Sequence, residues 1–341
     1  MKKSLLLLAF ILFISTETFS QSYQEVISLG YFDSIVNVHE VNNSTILIIS
    51  NGGTYHATLY NFKEGKVKDQ IIRNGRGPSE LQKVEASTID TESDFKYLYL
   101  KGIGGKIIKY NLDKGELEIQ RVSSMAGISY LEVFKDELVL SKKVLIPPKL
   151  LEEQDSLIVG YVLDKNTLDL KKQIKISTLD LGLSGIEQSN RLDNLQVFNL
   201  DTFLSKITNE LYLLATKGVN NLKVLSNTEL IKTIDLKEEL PYEIEVLNHS
   251  QFGYGIKTPG IINNVVKTAE GIYSYSFGQP GGEIDSGYLT ISNVLGETQV
   301  QKENVPESRK LIFDVSIKDI NCNLFLFGKS MSHTTELYMF N

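Results

Sequence analysis

The chain has 341 residues, with 35 Lys or Arg against 42 Asp or Glu, a formal charge of −7 and 42% hydrophobic residues. Those proportions exclude a disordered chain, and the mild acidity argues against nucleic acid as partner, because phosphate backbones demand a clustered basic surface. The single cysteine, Cys322, excludes an intramolecular disulfide framework and any cysteine-rich metal site.

The N-terminus reads as an export signal over residues 1–20. Lys2 and Lys3 precede an apolar run, Ser4–Ile14, and Thr18 and Ser20 place small side chains before a cut at Gln21. That run is too short to cross a bilayer core of about 30 Å, and no later run is longer. A single domain over 21–341 is therefore expected, periplasmic or extracellular, soluble once the leader is removed, without a membrane span and monomeric. In an oxidising compartment the lone Cys322 is expected to be buried.

Beyond the leader, a unit recurs. Its first copy is a β-rich run Thr45–Ser50, a turn Asn51–Thr54, a second run His56–Phe62 ending in Asn-Phe, a turn Lys63–Gly65, and a third run Val67–Ile72. Further copies begin at residues 97, 137, 210, 271 and 323, a spacing of about 56 residues. Upstream of each lies another alternating segment: Ser34–Val41, Val84–Ile89, Tyr130–Phe134, Gln196–Phe203, Asn263–Thr268 and Leu311–Ile317. Four strands per unit and six units predict an all-β, six-bladed β-propeller with four-stranded antiparallel blades. The sixth copy lacks its outermost strand, and Tyr23–Leu29 is expected to supply it and close the ring. Asp180–Asn194 is the one stretch with a short helix in view, weakened by Gly182 and Gly185.

At residues 73–81 the chain reads RNGRGPSEL. This resembles the G-x-G-P-G-E-F signature of NHL-type propellers and of similar secreted bacterial six-bladed propellers, TolB-like ones among them. Gly75, Gly77, Pro78 and Glu80 match, while Ser79 and Leu81 depart from it. The resemblance implies a fold and an export habit, but no reaction: such families run from ligand-binding scaffolds to metal-dependent lactonases and lyases. Read physically, the glycines are expected to supply positive φ, Pro78 to fix the turn, and Glu80 to accept backbone hydrogen bonds.

In a propeller, the inter-blade loops and those joining second to third strands share one face, where ligands sit. Arg76 and Asn74 on the glycine-rich turn are the first binding candidates. His56, His249 and His333 fall in or beside the same loops, and three convergent imidazoles would hold zinc. Calcium-type lactonase chemistry would instead need acids such as Asp90, Asp201 and Asp314 at the channel mouth. His39 is expected to line the channel or pack between blades. The stretch Lys142–Ser156 is expected to overhang the face as a lid, stiffened by Pro147 and Pro148. The sequence requires no cofactor, although calcium or zinc has these places to bind. A non-catalytic binding propeller for a protein, small molecule or carbohydrate is the reading. Its alternative is a metal-assisted hydrolase, lactonase or lyase.

Overall fold

The computed structural model describes residues 23–28, 35–42, 44–61, 63–122, 124–146, 156–177, 180, 198–216, 221–226 and 229–235, together with strands between residues 245 and 340 through their backbone pairing. All the described sheets are antiparallel, and no α-helix occurs among the described residues. Strand β1 (Tyr23–Ser28) is followed by a first sheet, β2 (Ile35–Asn42), β3 (Thr45–Ser50), β4 (Tyr55–Asn61) and β5 (Lys66–Arg73), paired in that order. The second sheet repeats the plan with β6 (Val84–Asp90), β7 (Tyr97–Gly102), β8 (Lys106–Asn111) and β9 (Glu116–Val122). Next come β10 (Ile128–Phe134), β11 (Glu137–Ile146), β12 (Ser156–Asp164) and β13 (Leu170–Ser177), then β14 (Phe198–Lys206), β15 (Leu211–Thr216), β16 (Asn221–Ser226) and β17 (Glu229–Asp235).

A hairpin follows, β18 (Glu245–His249) with β19 (Gly253–Lys257). Another four-stranded sheet follows, β20 (Ile261–Lys267) to β23 (Thr298–Glu303), with β21 (Ile272–Gly278) and β22 (Gly287–Asn293) between. The last sheet orders β1, β26 (Thr335–Phe340), β25 (Leu324–Ser330) and β24 (Leu311–Ile312), with Tyr23 opposite Phe340.

The core follows from strand alternation. In β7, Leu98 and Leu100 point into a cluster with Leu47, Ile49, Ala57 and Ile71 of the first sheet, whereas Tyr99 points to the other side. There it meets Ile128, Leu138, Leu140 and Leu163 of the third sheet. A period of two thus fills both faces of one sheet, which is why the second strands read as nearly continuous apolar runs. β3, TILIIS, is buried along its whole length, while β5 buries Ile71 and Ile72 alone. Each fully buried Leu or Ile contributes about 1.5–3 kcal/mol, so stability is concentrated in the second and third strands.

Three local devices recur. Asn61, Asn111 and Asp164 end β4, β8 and β12, and each Oδ1 accepts two backbone amides of the turn that follows, at 2.9–3.2 Å. Four residues later the chain turns through positive φ, at Gly65, Gly115 and, in the third sheet, Leu168. Leu168 is 1% exposed, so its apolar burial offsets a conformation that glycine adopts without strain. The second device is a bulge at Val36, Glu85, Ser129 and Asn263, near the start of four inner strands. The third is a bulge in four outer strands, at Lys68, Glu118, Lys171 and Ile231.

The first part of the expected overhang is strand: Lys142–Ile146 belong to β11, and Lys143–Ile146 pair with Asp201–Phe198 of β14, while residues 147–155 lie outside the described residues. The third and fourth sheets are thereby joined through backbone hydrogen bonds. Asp180 alone of the suspected helix is described, and Pro147, Pro148, Asp314 and Cys322 lie outside the described residues.

Candidate functional site at the loop end of the first two sheets

The turn between β5 and β6 is built around one carboxylate. Glu80 Oε2 accepts the Gly77 N–H at 2.8 Å, Gly75 N–H donates to Leu81 O at 2.8 Å, and Leu81 N–H donates to Arg73 O at 3.1 Å. Neither Gly75 nor Gly77 has positive φ, contrary to expectation. Glycine is needed for a different reason: a Cβ on Gly75 would stand 2.0 Å from Glu80 Oε2, and one on Gly77 2.9 Å from it. The side chain of Glu80 fills the space two side chains vacate.

Neighbouring strands clamp this turn from both sides. Lys106 Nζ, at the start of β8, donates to Gly77 O at 2.8 Å and Glu80 O at 2.6 Å. Burial draws the Lys106 ammonium below the usual lysine range, and the Glu80 charge partly offsets this. From the first sheet, Asn51 makes a reciprocal pair with the backbone of Val84, its Nδ2 to Val84 O at 2.9 Å and Val84 N–H to its Oδ1 at 2.7 Å. Asn74 ties back to the same loop through its amide to Thr54 O and its side chain to Gly53 O.

His56 lies beneath, fully buried, with Nδ1 2.9 Å from Ser50 O and Nε2 2.7 Å from Leu81 O. Both ring nitrogens therefore face backbone carbonyls, one on each loop, and neither points to an open cavity. His39 also packs between sheets, its Nε2 2.8 Å from Ser87 Oγ of β6. His249 closes β18 opposite Gly253, its side chain outside the described set, and His333 lies outside the described residues. Among the described residues, no three His, Cys, Asp or Glu side chains are grouped as metal ligands.

Asp90 is placed away from this end, at the far terminus of β6, against the expectation that it stands at the loop face. It is 2% exposed and held by Ser93 Oγ at 2.7 Å and by Lys165 Nζ of the third sheet at 3.0 Å. Burial alone would raise the Asp90 carboxyl; the Ser93 hydroxyl, Lys165 and the Glu92 amide together bring it below the ordinary range. It is a clasp between sheets. Asp201 sits in β14 opposite Lys143.

What remains outward-facing at the loop end is cationic. Arg73, Arg76 and Lys83 are exposed, and their side chains have no hydrogen bond or ion pair to a described residue. Ile103 stands 47% exposed beside them, its amide bonded to Lys83 O at 2.9 Å. Arg76 and Asn74 were legible from the turn motif. Arg73, Lys83, Ile103 and the Lys106 brace were missed, because no local pattern says which strand end a lysine occupies.

No known protein family and no curated protein matches the chain. Solved structures do. A member of the DUF4221 family from Bacteroides vulgatus superposes with a TM-score of 0.60 at 10% identity, covering 94% of this chain and 96% of that one. The β-propeller domain of Cps50 (Swd1) from Myceliophthora thermophila gives 0.51 at 10% identity, with 93% and 99% covered. The WD40 β-propeller domain of Doa1 gives 0.49 at 14% identity, covering 93% and 97%. At such identities the first two likenesses speak for the fold alone: the repeated four-stranded antiparallel sheets are those of a β-propeller.

Proposed function

We propose that this is an exported, non-catalytic binding propeller, six-bladed and closed by its first strand, which holds a partner or ligand on its loop face. The observation that carries the reading is the contrast within the site. The backbone of residues 74–83 is fixed by Glu80, Lys106, Asn51 and His56, while Arg73, Arg76 and Lys83 project from it unengaged. A rigid frame presenting free side chains suits recognition, because little order is lost on binding. Four four-stranded sheets, with an eight-stranded sheet that reads as two four-stranded units joined through β11 and β14, support the blade count, and the pairing of β1 with β26 supports closure.

The experiment is site-specific photo-crosslinking in the native cell. A crosslinking residue at Arg76 or Ile103 is expected to give a discrete adduct, and one at Glu64 or Lys114, on the opposite loops, none. Adducts confined to the opposite loops would overturn the reading. Mass analysis of the protein recovered outside the cytoplasm is expected to show a start at Gln21, and retention of Met1 would overturn export.

A further inference from the structure

We infer that the loop end of the first two sheets docks an acidic protein segment that brings an apolar side chain to Ile103; this rests on the binding reading above and names its partner class. The inference starts from charge. The whole chain carries −7, yet at this end Arg73, Arg76, Lys83 and Lys106 gather within adjoining loops. The acids described there are spoken for. Glu80 turns its carboxylate inward to Gly77 N–H, and Glu85 faces the fully buried Lys101 at 3.0 Å. On the opposite end, by contrast, several lysines are met by carboxylates, Lys165 by Asp90, Lys171 by Asp164 and Lys109 by Glu118, and exposed acids such as Glu64, Glu92 and Asp113 stand among the rest. Positive charge is thus left uncompensated on one end of a negative protein, which steers an anionic partner to that end.

The apolar element decides between polyanions. Ile103 is 47% exposed, and the next residue, Gly104 at φ 79°, has open space where a Cβ would be. An aliphatic side chain between cations matches the apolar centre and charged rim of a protein interface. An anionic polysaccharide brings carboxylates or sulfates, with nothing aliphatic to cover Ile103. The bracing of the two loops by Lys106 keeps Arg76 and Ile103 in one orientation, so the pattern is presented ready-made.

The test titrates the full mature chain with three probes: a short labelled peptide alternating Glu and Leu, one alternating Glu and Ser, and polygalacturonate. The Glu/Leu peptide is expected to bind tightest, weakening roughly tenfold or more between about 0.05 M and about 0.5 M salt. The double variant Arg76→Ala, Lys83→Ala is expected to lose roughly tenfold in affinity at unchanged melting temperature. Ile103→Ser should lower affinity for the Glu/Leu peptide and leave the Glu/Ser peptide unchanged. Equal or tighter binding of polygalacturonate, no binding of the Glu/Leu peptide, or indifference to Ile103→Ser each overturns the inference. The two readings fail separately. A loop-face crosslink to a partner without acidic character removes this inference and keeps the binding propeller, whereas adducts on the opposite loops alone remove the binding propeller itself.

Discussion

The junction between the first and second sheets and the junction between the second and third meet one requirement with different chemistry. Both bury an apolar seam, Leu47, Ile49 and Leu98 in one, Tyr99, Ile128 and Leu138 in the other. At the first seam the polar fastening is mostly side chain to backbone: His56 to two carbonyls, Asn51 to both groups of Val84, Lys106 to Gly77 and Glu80. At the second, ion pairs lead, Asp90 with Lys165, backed by Ser93, and Arg121 with Asp169, with the Tyr99 hydroxyl donating to Lys165 O at 3.3 Å beside them. The difference follows from what each fastening must hold. A backbone partner fixes the course of a loop, which matters where that loop carries exposed recognition side chains. An ion pair fixes two side chains and leaves the backbone of its turn to the Asx-type bonds already present.

The comparison breaks most sharply at Asp90. Asp90→Ala leaves the part-buried Lys165 without its carboxylate and is expected to cost about 3 kcal/mol, measured by denaturant unfolding. No change in midpoint would mean the second seam is held by apolar contact alone. The pH dependence sharpens the same point. Because the folded Asp90 carboxyl is held below its unfolded value, its stabilisation is present above the ordinary carboxylate range and lost as pH falls through the folded value. Wild type and Asp90→Asn should therefore differ near pH 7 and converge below about pH 4. A gap that persists in acid would contradict the assignment.

Gly75→Ala tests the first seam. With 2.0 Å between its Cβ and Glu80 Oε2, the carboxylate must leave Gly77 N–H, at an expected cost of about 2 kcal/mol. Combining it with Glu80→Ala should cost less than the sum of the two, since the clash and the bond share one carboxylate. The smallest effect belongs to Arg76→Ala, which is expected to shift stability by less than about 0.5 kcal/mol, as at other exposed sites. A larger loss would give Arg76 a part in the fold.

The strands and hairpin ends were legible in the sequence because their signals are local. Alternation in Val84–Ile89 and Asn61 four residues ahead of Gly65 can each be read within a window of ten residues or so. The reason for Gly75 was not. It depends on where the Glu80 side chain lies, which no local window of sequence shows. The extension of β11 was hidden for a related reason: Lys143 finds its strand partner at Asp201, across a long stretch of chain. His56 read as a loop histidine because a sequence does not show that both ring nitrogens meet carbonyls on separate loops. The placement of Asp90 requires the direction of β6, and the alternation of Val84–Ile89 alone is the same read either way.

The outer-strand bulges carry a consequence for life in a crowded compartment. A strand from another molecule that tries to extend β5, β9 or β13 needs evenly spaced donors and acceptors. At Lys68, Glu118 and Lys171 the spacing slips by one residue, and the displaced side chains are turned back, to Thr45 Oγ1, to Asn111 and to Asp164. An incoming chain thus loses its register within a few residues, with charge where it next needs a flat surface. The outer strands are thus mistimed as templates for a strand of another molecule.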